Sequence, residues 1–358
     1  MPEIWLNYGI ADVVLDIQAE NLSQKIDSQG KTLSDEKITE KLGGIDLKKP
    51  SDLVVLHNSK SVQKIISQIF TLCEQKSAPI PRILADAKIK NAVKSVLPEG
   101  SLVHEFDSIP NANLIFLAEM ELDGLFGYET IATRLLRRFG KEDMLSAYAK
   151  RKDNLPSSGQ ITSSIDEAKK FADKFEIQAI EIAANSQGIV DFEIGHPSKT
   201  ISLSKTFESV AVKDAGKHKS MIISTGKDAS NDTLGRAMNS LWNCSAAMEK
   251  NGLAILLAES KLGIGSEAVR RYIEGRLSLE QLRNPSEYVD GMEDLLFLTE
   301  IQKNFQIGLV SILPEFYSKK LNMISLNGVK LALDYILKTQ GPRQKITIVT
   351  DGARTLLR

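Results

Sequence analysis

Leu253–Gly265 reads LAILLAESKLGIG, and Ser266 then opens a segment with helical spacing as far as Glu274. The uninterrupted apolar run Leu253–Ala258 suits a strand buried on both faces, as in a parallel sheet. A glycine-bearing loop then hands the chain to a helix, with Ser266 as its N-cap. Strand, loop and helix in that order form the repeating unit of an α/β protein. Gly263 and Gly265 permit close backbone approach, and the N–H groups of such a helix start can bind a carboxylate or phosphate. The same residues equally suit a tight turn capped by Ser266. Glu259 stands at the end of the strand, where open α/β sheets collect their ligands.

The same grammar extends outward in both directions. DLVVLH (52–57) reads as a buried strand ahead of an amphipathic segment opened by Ser61, with Val62, Ile65, Ile66 and Ile69 at helical intervals. Further strands are predicted at Arg82–Ala85 and Asn113–Glu119, the latter leading through the loop Asp123–Gly127 to a helix at Ile131–Phe139. Ala179–Ala183, Ile189–Ile194, Met221–Ser224, Ile307–Ser311 and Lys345–Thr350 complete the strands, and Glu3–Asn7 with Val13–Ile17 reads as an opening hairpin. Residues 21–49 are polar, with helical spacing around Ile38 and Leu42. The expected class is α/β, with two α/β domains and a cleft between them. With about 150 residues per domain as a guide, 358 residues divide at the polar crossing Lys213–Lys219 into 1–218 and 219–342.

Composition narrows the functions. Lys+Arg 45 against Asp+Glu 46 give a net charge of −1, and 42% hydrophobic with 25% charged residues is ordinary for a globular protein. Disorder is disfavoured, and so is nucleic acid as a partner, since polyanion binding needs a basic excess. No run approaches the ~20 apolar residues of a membrane helix, so no membrane partner is expected. The first residues carry no basic-then-apolar export signal, and Cys73 and Cys244 form no CxxC, which predicts two reduced thiols in the cytosol.

Residues able to do chemistry are few. His57, His104, His196 and His218 adopt no recognised ligand spacing, so no metal site is predicted. Neither a G-x-x-x-x-G-K-[ST] phosphate loop nor a full dinucleotide fingerprint occurs. Asp351 follows the last strand as Glu259 follows its own; such a pair of carboxylates could do acid–base work or hold a metal, or each could cap a neighbouring loop. The run Arg134-Leu135-Leu136-Arg137-Arg138 could meet an anionic partner, although such spacing more commonly marks a solvated basic face.

Ser224–Glu274, the ending Asp351-Gly352, and Tyr8-Gly9 followed by Val14–Ile17 together resemble the nickel-pincer lactate racemase family. The resemblance implies a larger N-terminal and a smaller C-terminal α/β domain with a cleft between them, and a last segment, 343–358, returning to the first domain. It also implies a hydride shuttle between a 2-hydroxy acid and a nickel-bound pyridinium cofactor, with histidines moving the hydroxyl proton. The family's functional residues are replaced here. Its Asp-x-Thr-Arg-Pro loop corresponds to His57-Asn58-Ser59-Lys60-Ser61, Asp123 stands at a catalytic histidine, and Thr133 falls about where the cofactor lysine should be. Ser163 takes the place of a nickel-binding histidine, and the Gln-Ala-x-Lys substrate contacts become Arg236-Ala237-Met238-Asn239.

These replacements argue against the nickel-pincer cofactor, and no other cofactor is indicated. Arg236 could still grip a carboxylate, with Asn239, Gly263 and Gly265 as further binding residues and Asp123, Glu259 and Asp351 as candidate acids or bases. The expected ligand is a small carboxylate or hydroxy acid in the interdomain cleft. Two functions follow: an enzyme performing a different acid–base reaction on such an acid, or a non-catalytic binding or regulatory protein on the same scaffold. A working 2-hydroxy acid racemase is the least favoured.

Overall fold

Asp52–Val55 and Leu114–Glu119 are buried along their whole length, as expected of strands covered on both faces. They are parallel neighbours at the centre of a six-stranded sheet, in a computed structural model that describes residues 3–45, 51–109, 113–227 and 232–358. The order across this sheet is Gly188–Gly195, Gln178–Asn185, Leu114–Glu119, Asp52–Val55, Arg82–Ala85 and Val103–Glu105. Every pairing is parallel except that of the edge hairpin, Gln178–Asn185 with Gly188–Gly195. The turn of that hairpin is shaped by Asn185, whose Oδ1 accepts from the N–H groups of Gln187 (2.8 Å) and Gly188 (3.1 Å).

A second six-stranded sheet is parallel throughout: Ile324–Leu326, Gln306–Val310, Met248–Leu257, His218–Ser224, Ile346–Val349 and Leu22–Ile26. The opening hairpin, Glu3–Tyr8 with Ala11–Asp16, lays Ile4, Leu6 and Leu15 against Ile222, Ile255 and Ile348 of this sheet. The helix Leu234–Ser245 buries Trp242 edge-on to Phe297, at a centroid separation of 5.8 Å. One continuous apolar cluster contains Val54 and Phe116 of the first sheet together with Ile223 and Leu256 of the second. The architecture is α/β, as the strand–loop–helix pattern predicts.

Two details add to the sequence reading. Leu22–Ile26 is a strand at the start of the polar stretch 21–49, ahead of the helical spacing around Ile38 and Leu42. Ser23 and Lys25 are exposed while Ile26 is buried, so its period is two, and its polar residues suit the sheet edge it occupies. The helix of that stretch is Asp35–Leu42, which buries Ile38 and Leu42; residues 46–49 of the same stretch lie outside the described residues. The C-terminal segment, expected to return to the first domain, pairs at both its strands with residues of 1–218. Ile346–Val349 lies between His218–Ser224 and Leu22–Ile26 of the second sheet, whereas Leu356–Leu357 pairs with Val212–Lys213. Its β-branched run Ile346-Thr347-Ile348-Val349 is wholly buried there.

Candidate functional site

A cavity of about 560 Å³ opens where loops from the carboxyl ends of both sheets meet. Glu121 and Asp123 follow the first sheet's strand Leu114–Glu119, and Arg134 projects from the helix Ile131–Phe139. Facing them are Arg236 and Asn239, one turn apart on the helix Leu234–Ser245, and Gly265 of the glycine loop. Four of the residues predicted from sequence therefore line one space: Asp123, Arg236, Asn239 and Gly265.

Glu121 is the node of this space. Arg134 Nη2 donates to its Oε2 at 2.5 Å, Arg236 Nη2 lies 3.2–3.3 Å from both oxygens, and His57 Nε2 is 3.5 Å from Oε1. Burial pushes this carboxyl's pKa up, but the attraction of His57, Arg236 and Arg134 outweighs it and holds the group well below the usual carboxylate range. Arg134 and His57 are almost wholly enclosed, whereas the Arg236 side chain keeps 33% of its surface exposed. Arg236 is thus the guanidinium that faces the open cleft.

Asp123 is engaged at both oxygens. Its Oδ1 accepts from the N–H groups of Leu125 (2.8 Å) and Phe126 (2.6 Å), and its Oδ2 from Arg137 Nη2 at 2.8 Å. It shapes the loop before Gly127, which is obligatory: at φ +87°, a Cβ there would fall 2.0 Å from the Gln160 carbonyl oxygen. Arg137 also donates to Glu293 and to the Tyr288 hydroxyl, and Arg138 to Asp86. The run 134–138 is therefore no solvated basic face. Each guanidinium meets carboxylates of other elements, which spacing along one helix does not reveal.

The glycine loop is satisfied from within. Its carbonyls at Gly263 and Ile264 accept from the N–H groups of Leu234 (3.0 Å) and Gly235 (2.8 Å). At the start of the helix Glu267–Ile273, Ala268 N–H donates to the Asp290 carbonyl at 2.9 Å and Val269 N–H to Ser266 Oγ at 3.3 Å. Gly265, at φ +70°, gives a close approach, because a Cβ there would lie 2.3 Å from that of Thr233. A Cβ on Gly263, at φ +85°, would meet nothing within 4 Å among the described residues, and Gly263 lines a neighbouring cavity.

The other candidate acids sit apart. Asp351 lines a separate cavity of about 380 Å³ with Lys25, Lys60, Asn185 and Arg354. Burial raises its pKa against the pull of Arg354, whose Nη1 is 3.5 Å from Oδ2. Arg354 also holds Glu119 at 2.7 Å, and Glu119 accepts from Ser59 Oγ at 2.5 Å. Glu259 lies against the opening hairpin, so close that a Cβ on Gly9 would fall 1.6 Å from its Oε2. Asp123, Glu259 and Asp351 do not converge.

The positions matched to the cofactor machinery do not fit that group. Thr133 is buried in a capping box, donating to the Thr130 carbonyl at 2.9 Å and accepting from its N–H at 2.7 Å. Ser163 Oγ donates to the Lys150 carbonyl at 3.2 Å. Neither side chain is an amine or an imidazole, and among the described residues no group of three or more His, Cys, Asp or Glu could hold a metal ion.

Comparison with solved structures places the fold. The lactate racemase apoprotein from Thermoanaerobacterium thermosaccharolyticum superimposes with a TM-score of 0.74 over 100% of both chains, at 15% identity. The chain has a lactate racemase-like fold. A Thermotoga maritima protein of known crystal structure matches with a TM-score of 0.64, at 10% identity, over 92% of this chain and 99% of its own. No protein-family profile and no curated protein matches the sequence. At these identities the likeness is one of fold, so the lactate racemase-like frame is shared while the side chains at the site are this chain's own.

The sequence offered Arg134 only as part of a basic run and gave no role to Glu121. A signal was present: Glu119, Glu121 and Asp123 alternate, and each meets an arginine, Arg354, Arg134 with Arg236, and Arg137 respectively. Among the described residues no helix is long and apolar enough to cross a membrane, and Cys73 and Cys244 are free and buried.

Proposed function

We propose that this lactate racemase-like protein binds a small hydroxy acid in the cleft between Arg236 and the carboxylates opposite, without nickel-pincer hydride chemistry. The observation that carries this reading is the state of Arg236. Its guanidinium faces the cleft, one turn from Asn239, and its 3.2–3.3 Å contacts to Glu121 are looser than the 2.5 Å bond from Arg134. A ligand carboxylate can take a bidentate place on Arg236 while Arg134 continues to neutralise Glu121. The opposite wall holds Glu121, Asp123, Glu129 and Glu293, whose carboxylates keep lone pairs that a ligand hydroxyl could donate to. One anionic end and one hydroxyl-bearing end describe a hydroxy acid.

Binding without turnover is the second reading, favoured by the engagement of both Asp123 oxygens and by the lowered pKa of Glu121, which makes it a weak base. The test common to both is a thermal-shift screen over short hydroxy acids, sugar acids and phosphates. Hydroxy acids are expected to raise the melting temperature, and Arg236→Ala to abolish the carboxylate-dependent shift. The variant itself should lose no more than about 1 kcal/mol of stability, because its ion pair is partly exposed. An unchanged ligand response in Arg236→Ala would remove Arg236 from the site.

A further inference from the structure

We infer that the acid bound in the cleft carries a bulky apolar substituent, seated between Leu262 and Phe316; this rests on the reading of the cleft above. A second cavity of about 790 Å³ adjoins the first and shares Lys88, Leu262, Gly265 and Ser266 with it. Its other walls include Ile264, Leu313, Phe316 and Tyr317. Leu262 is 62% and Phe316 54% exposed, and neighbouring Ile312 is 60% exposed. Three large apolar side chains left open to water in one region mark a surface that is covered in use.

The shape and the charges select the occupant. The space is concave, of a size that suits a small molecule, and it opens into the polar cleft. On its rim Arg270 pairs with Glu267 at 2.6 Å and with Glu274 at 3.3 Å. Lys88 and Asp290 line both cavities and so stand on the polar-cleft side, while Leu313, Phe316 and Tyr317 line this one alone. A three-carbon acid would engage Arg236 and leave the apolar walls uncovered. An acid with a longer alkyl or aromatic substituent covers both regions, its carboxylate on Arg236 and its apolar end on Leu262 and Phe316.

The test is calorimetric titration of lactate, 2-hydroxyhexanoate and 3-phenyllactate into the full chain and into Phe316→Ala and Leu262→Ala. Both positions are exposed, so both variants should fold, which circular dichroism verifies. From lactate to 2-hydroxyhexanoate the affinity should rise about 10-fold or more, as three added methylenes are partly buried. Phe316→Ala should remove most of that gain and leave lactate binding unchanged. Equal affinity along the series would overturn the apolar subsite while leaving the carboxylate reading standing. Absence of binding by every acid would overturn both. A dimer in sedimentation, dispersed by Phe316→Asp and accompanied by no chain-length preference, would assign the patch to a second copy of this chain and overturn the inference.

Discussion

Replacing Glu121 with alanine should destabilise the protein by about 3–5 kcal/mol at neutral pH, the cost of breaking a buried ion pair from one side. The substitution strips Arg134 of its 2.5 Å partner in an enclosed setting, where only a 3.3 Å contact to the Glu119 carbonyl remains to the same nitrogen. It also removes the carboxylate beside His57, which is 2% exposed and whose Nδ1 has no hydrogen-bond partner among the described residues. The pH dependence gives the prediction a second edge. Because the folded pKa of Glu121 is depressed, its contribution is fully present above the unfolded carboxylate value of about 4.5 and is lost as pH falls through the folded value. Urea titrations at pH 7 should therefore separate wild type from Glu121→Ala widely, and the gap should narrow in acid. Superimposable curves at pH 7 would show that the node carries no structural weight. Arg236→Ala, by contrast, should shift the urea midpoint little, which separates the cation that holds the fold from the one that faces the cleft.

Glu181→Gln should make the protein more stable than wild type above pH 8, by roughly 3–5 kcal/mol. Glu181 is fully buried on the strand Gln178–Asn185, its Oε2 accepting from Ile131 N–H at 2.9 Å and Thr200 Oγ1 at 3.3 Å, while Oε1 has no hydrogen-bond partner among the described residues. Burial pushes its pKa up to about 8, against the opposing pull of the Ile131 N–H, Arg134 and Thr200. With the folded value raised, the folded state keeps a proton that the unfolded chain releases near 4.5. No cost exists below that value; it grows as pH rises and is complete above about 8. Glutamine keeps an acceptor for Ile131 and cannot ionise. Melting temperatures from pH 5 to 9 should fall more steeply for wild type than for the variant, and parallel profiles would refute the buried neutral carboxyl.

Much of the frame was legible because its signals are local. The apolar runs at 52–57 and 113–119 each contain a strand, the run at 253–258 covers the buried half of the strand Met248–Leu257, and the helix Ile131–Phe139 begins and ends where its sequence pattern does. Leu22–Ile26 escaped because an edge strand alternates too few apolar residues to stand out from its polar surroundings. The site was less legible, for a reason of distance. Arg354 and Glu119 are 235 positions apart, and Arg236 and Glu121 are 115 apart, so only the fold brings them together. Asp123, read as a candidate acid, owes its place to the N–H groups of Leu125 and Phe126, a local turn that the sequence Asp-Gly-Leu-Phe-Gly does not distinguish from a catalytic loop. Arg236 and Asn239 were the legible pair, since helical spacing alone puts them on one face.

The most direct test of the cleft as a hydroxy acid site is a crystal structure of the protein grown with 2-hydroxyhexanoate. The account predicts the ligand carboxylate on Arg236 and Asn239, its hydroxyl turned toward Glu121 and Asp123, and its alkyl chain against Leu262. A ligand seated instead beside Lys60 and Arg354 in the cavity of Asp351, with the Arg236–Glu121 contact undisturbed, would contradict it.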